Sequence, residues 1–209
     1  MHINNIIETL KKEYPGRHFP TTVKRDPFYI FISCILSLRT KDEVTYKASR
    51  RLFSLAETPK EMLSLSDEQI KKAIYPAGFY NNKTKTIKEI SRILVEEYNS
   101  KVPDTIEELL KFSGVGRKTA NIVITQAFNK PGIPVDTHVH RLSNRIGLVR
   151  TKNPEATEFE LMKIIPKKYW IMINELFVKH GQNVCKPRRP LCHKCKIIKY
   201  CKFPNKHGG

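Results

Sequence analysis

Apolar residues recur along this chain mostly at the three- and four-residue spacing of an α-helix, and strand-like alternation is scarce. Ile6, Ile7 and Leu10 predict a short amphipathic first helix. Residues 27–38, PFYIFISCILSL, are apolar on every face and predict a central, buried helix. Ile87, Ile90, Ile93 and Leu94 carry the helical spacing on through about residue 98. The punctuation agrees: Thr58-Pro59-x-Glu61 and Ser66-x-x-Gln69 read as capping boxes, the first with proline at the first helical position. Asp104-x-x-Glu107 and Asn153-Pro154-Glu155 read as further helix starts. The pattern predicts an all-α chain of roughly ten helices with little or no sheet, and no internal repeat.

A chain of 209 residues can form one large domain or two small ones. No apolar run approaches the roughly 20 residues of a membrane span, and the start, MHINNIIETLKKEY, lacks the layout of a secretory signal. An intracellular place, in the cytoplasm or on the nucleoid, is expected. In that setting five cysteines point to metal binding or reduced thiols rather than a disulfide framework. Cys34, inside the apolar helix, reads as a packed thiol.

Charge changes the picture most. The formal net charge is +18, and from residue 161 onward twelve Lys and Arg face one acid, Glu175. So skewed a segment fits a phosphate backbone better than a merely solvated surface. An anionic membrane would call for a basic amphipathic helix with an aromatic apolar face, which the sequence lacks.

Cys185, Cys192, Cys195 and Cys201 follow the spacing C-x6-C-x2-C-x5-C within 17 residues. Zinc ribbons usually separate two C-x2-C pairs by a dozen or more residues, whereas a 4Fe-4S cluster needs one thiolate per iron corner and accommodates a compact wrap. The spacing therefore favours the cluster over zinc, and zinc over disulfides. The loop KPRRPL between the first two ligands carries Lys186, Arg188 and Arg189, a basic loop that pinning at both ends would preorganise for phosphate.

Residues 105–128, TIEELLKFSGVGRKTANIVITQAF, predict a helix ending near Phe112, a tight turn at Gly114 and Gly116, and a second helix starting by Arg117. In such a helix–hairpin–helix the glycines admit a close backbone approach, and the second helix offers free N–H groups and its positive end to a phosphate. Lys118 lies at the start of that helix. A solvated lysine is the ordinary reading of any single Lys. Asp136, in IPVDTHVHR where a loop enters another helix, tilts the balance, because a lysine beside a carboxylate can act as an amine nucleophile. His138 and His140 have no acid or cysteine partner in the pattern and read as ordinary helix-start residues.

The segments FSGVGRKTAN and VDTHVHR and the cysteine spacing, in this order, resemble the endonuclease III family of DNA glycosylases. So do GFYNNKT at 78–84 and LSLRTKD at 36–42, and the likeness covers nearly the whole chain. The resemblance implies two helical domains: a barrel over 22–131 carrying the hairpin, and a cluster domain of 1–21 plus 132–209. It implies a monomer that binds double-stranded DNA across the groove between them and flips a damaged nucleotide out of the duplex.

Lysine at 118 matches the bifunctional branch. Lys118 would displace the base from the sugar and form a Schiff base, with β-elimination following. Asp136 would deprotonate the lysine and stabilise the oxocarbenium charge, with Arg117 and desolvation favouring the free amine. The 4Fe-4S cluster on the four cysteines would be structural. DNA contacts would come from Gly114, Gly116 and Arg117, from Lys186, Arg188 and Arg189, and from Arg39 and Phe79.

Two departures bear on substrate. The family's usual LPGVG is FSGVG here, which leaves the glycine turn intact, and Arg39 stands where relatives commonly carry a glutamine that fills the gap left by the flipped base. Phe79 matches an apolar wedge that props the opened stack, although a core aromatic fits its sequence context too. Oxidised pyrimidines are the expected lesions. Mispaired thymine or uracil, or oxidised guanine, is the alternative that Arg39 keeps open, and a non-catalytic iron–sulfur DNA sensor is a more distant one.

Overall fold

The computed structural model describes residues 2–15 and 26–204. Among them the chain forms eleven α-helices and no strand. It divides into two compact units, Val23–Lys130 and Met1–Thr22 with Pro131–Gly209. The domain boundary expected at residues 21–22 lies outside the described residues.

The central unit is built on α2 (Pro27–Ser37). Asp26 caps it, accepting a 2.8 Å hydrogen bond from the Tyr29 N–H, and Pro27 opens its first turn. As its all-apolar sequence predicts, this helix buries Phe28, Ile30, Phe31, Ile32, Ile35 and Leu36 together. It packs against α3 (Asp42–Phe53), α6 (Tyr80–Glu97) and α8 (Arg117–Ala127). Phe31 meets Phe112 edge to face at 5.4 Å. Cys34 is buried as expected, and burial pushes its thiol up to about 12, an effect that the positive charge of Lys118 opposes.

Both capping boxes form, opening α4 (Pro59–Ser64) and α5 (Asp67–Ile74). One start differs from the sequence reading. The short α7 (Ile106–Leu109) is capped by Thr105, whose hydroxyl accepts from the Glu108 N–H, rather than by Asp104. Asp104 is engaged elsewhere, in an ion pair with Lys130 at 2.7 Å. This helix also stops before Phe112: the N–H groups of Lys111 and Phe112 bond to carbonyls three residues back, which tightens the chain out of α-helical geometry.

The second unit gathers α1 (Ile3–Glu13), α9 (Thr137–Ile146), α10 (Pro154–Ile164) and α11 (Trp170–Asn183) around Ile7, Leu10, Leu142, Ile173 and Phe177. Asn153 caps α10, accepting from the Ala156 N–H at 2.8 Å. Beyond α11 the described chain has only two short 3-10 turns, Cys192–Lys194 and Ile198–Tyr200. No helix among the described residues is long and apolar enough to cross a membrane.

Candidate active site and cysteine centre

The hairpin leading into α8 turns on Gly114, whose φ of +79° is open to glycine but costly for a residue with a side chain. Gly116, the N-cap, is extended, and a Cβ there would meet nothing within 4 Å. Neither the protein's own conformation nor its packing demands a glycine at 116. What the missing side chain leaves is open space in front of the α8 N-terminus, where no side chain caps the helix. Arg117 is half-buried on the first turn and Lys118 is exposed beside it. The desolvation expected around Lys118 is therefore not supplied by the folded chain itself.

Two turns carry Arg39 and Phe79. Both residues adopt left-handed backbone, with φ of 53° and 57°, a conformation that costs a non-glycine residue and persists only where neighbours enforce it. The Arg39 guanidinium lies 5.4 Å from the centre of the Phe79 ring. Phe79 is 59% exposed, so it is not a core aromatic. Arg39, Phe79, Asn82, Lys83 and Gly114 border one open pocket of about 330 Å³. Thus three of the predicted DNA-contact residues, far apart in sequence, meet in one place.

Asp136 is the N-cap of α9. Its Oδ1 accepts from the N–H groups of His138 and Val139, both at 2.8 Å, and the residue is half-buried in the unit that does not contain Lys118. His140 Nδ1 bonds the Thr157 hydroxyl at 2.7 Å, and His138 Nδ1 lies 3.0 Å from Arg141 Nη2. His138 thus bonds within α9, and His140 links α9 to α10.

Cys185, Cys192, Cys195 and Cys201 are partly exposed and stand in one neighbourhood. Burial pushes the Cys195 thiol up to about 11, and the other three cysteines add to the rise. Among the described residues no three His, Cys, Asp or Glu side chains converge tightly enough to hold a single metal ion. The segment is strapped by the chain around it. The Leu191 N–H bonds the Val184 carbonyl at 2.9 Å, closing the basic loop at its base. Arg145 reaches the carbonyls of Lys186 at 2.8 Å and Pro187 at 2.6 Å, and its Nη1 lies 3.4 Å from Cys185 Sγ. Arg141 holds the Cys185 carbonyl at 2.9 Å. On the other side His180 bridges Tyr14 and Cys195, at 3.2 Å from the phenol and 3.4 Å from the sulfur. Burial takes the His180 imidazole down to about 4.

Several residues of these sites were missed by sequence reasoning: Lys83 and Thr40 under the Arg39 and Phe79 turns, and Arg141, Arg145 and His180 around the cysteines. Only Lys83 had a signal. It stands in helical register with Ile87, Ile90 and Leu94, so a cation occupies the apolar stripe of α6.

A helical chain bearing a glycine hairpin with an open helix N-terminus and a lysine beside it has the layout of a helix–hairpin–helix DNA-binding protein. The model of the HhH-GPD superfamily of base excision DNA repair proteins matches residues 32–167. Endonuclease III of Thermotoga maritima is 47% identical over 99% of this chain and 95% of that protein, and endonuclease III of Rickettsia conorii is 38% identical over 96% and 95%. A solved structure of a trapped endonuclease III–DNA covalent intermediate superposes with a TM-score of 0.87 at 36% identity, covering 96% of this chain and 94% of that one. The chain belongs to the endonuclease III family, and is a DNA glycosylase and abasic-site lyase. The reading as a non-catalytic DNA sensor falls with that membership.

Proposed function

We propose that this enzyme acts inside the cell, as a monomer on double-stranded DNA, excising oxidised pyrimidines and then cutting the strand, with Lys118 as nucleophile. The observation that carries this reading is the position of Lys118: an exposed amine on the first turn of α8, beside the open space at Gly116. A phosphate bound at the α8 N-terminus and contacted by Arg117 would place the neighbouring sugar within reach of that amine. Bound DNA then supplies the desolvation that the protein alone does not.

The ammonium of Lys118 gives up a proton, for which the Asp136 carboxylate is the proposed acceptor. The free amine forms a bond to sugar C1′ while the C1′–N bond to the base breaks, and the base leaves with its electron pair and takes up the proton that Asp136 accepted, which restores the carboxylate. Asp136 stabilises the positive charge that develops on the sugar. Ring opening gives a protonated Schiff base, loss of a C2′ proton expels the 3′ phosphate, and water releases the lysine.

We further propose that Cys185, Cys192, Cys195 and Cys201 hold a 4Fe-4S cluster. The Cys195 thiol, raised by burial and by the three other cysteines, belongs to a donor set that a cationic centre would relieve, and the C-x6-C-x2-C-x5-C spacing suits a cluster with a separate iron for each thiolate better than a single zinc. Held by four protein ligands, the cluster would supply no chemistry to the reaction and would brace the Lys186–Arg189 loop against the backbone.

One observation favours a second substrate reading. The exposed Arg39 guanidinium can hydrogen-bond the edge of an orphaned guanine, which suits a thymine or uracil mispaired with guanine, or oxidised guanine. A duplex panel with each lesion, assayed by borohydride trapping, separates the readings. A covalent adduct that forms on oxidised pyrimidines and vanishes in Lys118→Ala supports the proposal. Normal trapping by Lys118→Ala overturns the nucleophile.

A further inference from the structure

The α2 C-terminus and the start of α6 are joined by a buried cation. Lys83 is only 6% exposed, and its ammonium donates to the Leu36 carbonyl at 2.6 Å, the Leu38 carbonyl at 2.7 Å and the Thr40 hydroxyl at 2.7 Å. All three donors are spent on neutral oxygens, two of them carbonyls at the end of α2, where the helix itself supplies no N–H partner. Thr40 carries the link onward. Its hydroxyl also accepts from the Gly78 N–H at 3.1 Å and lies 3.3 Å from the Leu38 carbonyl to which it donates. Gly78 lies so close that a Cβ there would stand 2.4 Å from the Arg39 carbonyl oxygen.

Arg39 and Phe79 thus project from turns held by one hydrogen-bonded block. Two turns so constrained can keep both residues in left-handed backbone, because leaving it would break the part-buried hydrogen bonds that join them. Nothing in the chemistry of strand cutting calls for Lys83, and a purely structural lysine would ordinarily snorkel to water rather than bury its charge.

We propose that Lys83 is a positioning residue: with the Thr40 hydroxyl it locks the Arg39 and Phe79 turns into one rigid unit that enters the opened duplex together. This rests on the reading of Arg39 and Phe79 as residues that meet DNA. The lock makes insertion of the ring and filling by the guanidinium a single event, with the ordering cost met in folding rather than on binding.

The test uses the protein as purified and three variants: Lys83→Met, Thr40→Val and Thr40→Ser. Backbone hydrogen exchange across 38–41 and 76–80 is measured without DNA. Excision from a damaged duplex is compared with strand cutting at a preformed abasic site in single-stranded DNA, which needs no opened stack. Thr40→Val and Lys83→Met are expected to speed exchange in both turns together, and to lower duplex excision by about tenfold or more in kcat while single-strand cutting stays within about threefold. Thr40→Ser restores both. Should Lys83→Met fail to fold, the half-exposed Thr40 variants carry the test alone.

Faster exchange in only one turn or in neither, or an equal loss on duplex and single strand, overturns the proposal. If the unaltered enzyme cuts no lesion at all, the functional reading fails, while the exchange measurement still decides whether the two turns are locked.

Discussion

The Asp136 carboxylate accepts a 2.8 Å hydrogen bond from the Val139 N–H, and the same oxygen takes the His138 N–H. One side chain therefore caps α9 and holds the charge proposed to act on the sugar. The two roles separate by substitution, because asparagine caps a helix about as well as aspartate but carries no charge. Asp136→Asn should fold with stability within a few tenths of a kcal/mol of the parent and lose about a hundredfold or more in excision. Asp136→Ala should lose the same activity and in addition about 1 kcal/mol of stability. Urea unfolding and single-turnover excision on both variants check this; an active Asp136→Asn would confine the residue to its structural role.

The basic loop gives a prediction about salt. Lys186, Arg188 and Arg189 border an open hollow of about 470 Å³, and their loop is pinned by Arg145 and by the Leu191-to-Val184 hydrogen bond. If each side chain neutralises one phosphate, replacing all three with alanine should lower the slope of log K against log salt by about 2 to 3. Affinity for undamaged and damaged duplex should fall alike. A loss confined to damaged DNA, with the slope unchanged, would remove the loop from the backbone interface.

How much of this was legible beforehand depends on the range of the interaction. The capping boxes at Thr58 and Ser66 and the buried α2 were readable because each is settled within a turn or two of chain. Asp104 reads in the sequence as the start of the short α7, but Thr105 caps it, and Lys130, 26 residues away, pairs with the Asp104 carboxylate. The straps on the cysteine segment were invisible for the same reason: Arg145 lies 40 residues from Cys185, and Tyr14 lies 166 from His180. Lys118 could be chosen by motif, but its exposure could not, since apolar burial on α8 falls to Ala120, Val123 and Ile124 on another face. Lys83 alone was both long-range and readable, as a cation out of place on an apolar stripe.

The cysteine centre yields an analytical prediction. The purified protein should be brown and carry about four irons per chain. Arg145→Met removes the side chain that ties the Lys186 and Pro187 carbonyls and approaches Cys185 Sγ. It should release iron to a chelator several times faster than the parent, with the α2-centred core unaffected by circular dichroism. A colourless protein holding zinc would refute the cluster while leaving Lys118 chemistry in place.

Lys83 also makes stability depend on pH with an unusual sign. Burial among neutral acceptors takes its pKa down from 10.5 to about 8. The other charged side chain bordering its pocket is Arg39. Below pH 8 both the folded and the unfolded chain hold the proton, and the folded state bears the full penalty of a buried ammonium. Between about 8 and 10.5 the unfolded chain keeps a proton that the folded chain gives up, so the folded state gains as pH rises. The gain is at most roughly 3 kcal/mol, from 1.36 kcal/mol per pKa unit. Other lysines and tyrosines titrate in this range, so the quantity to measure is the difference in unfolding free energy between the parent and Lys83→Met at successive pH values. That difference should shift in favour of the parent from pH 8 to 10.5 and stay flat from 6 to 7. A flat difference throughout, or a shift towards the variant, would mean that the three oxygens compensate the ammonium fully, and that its charge costs the folded state nothing.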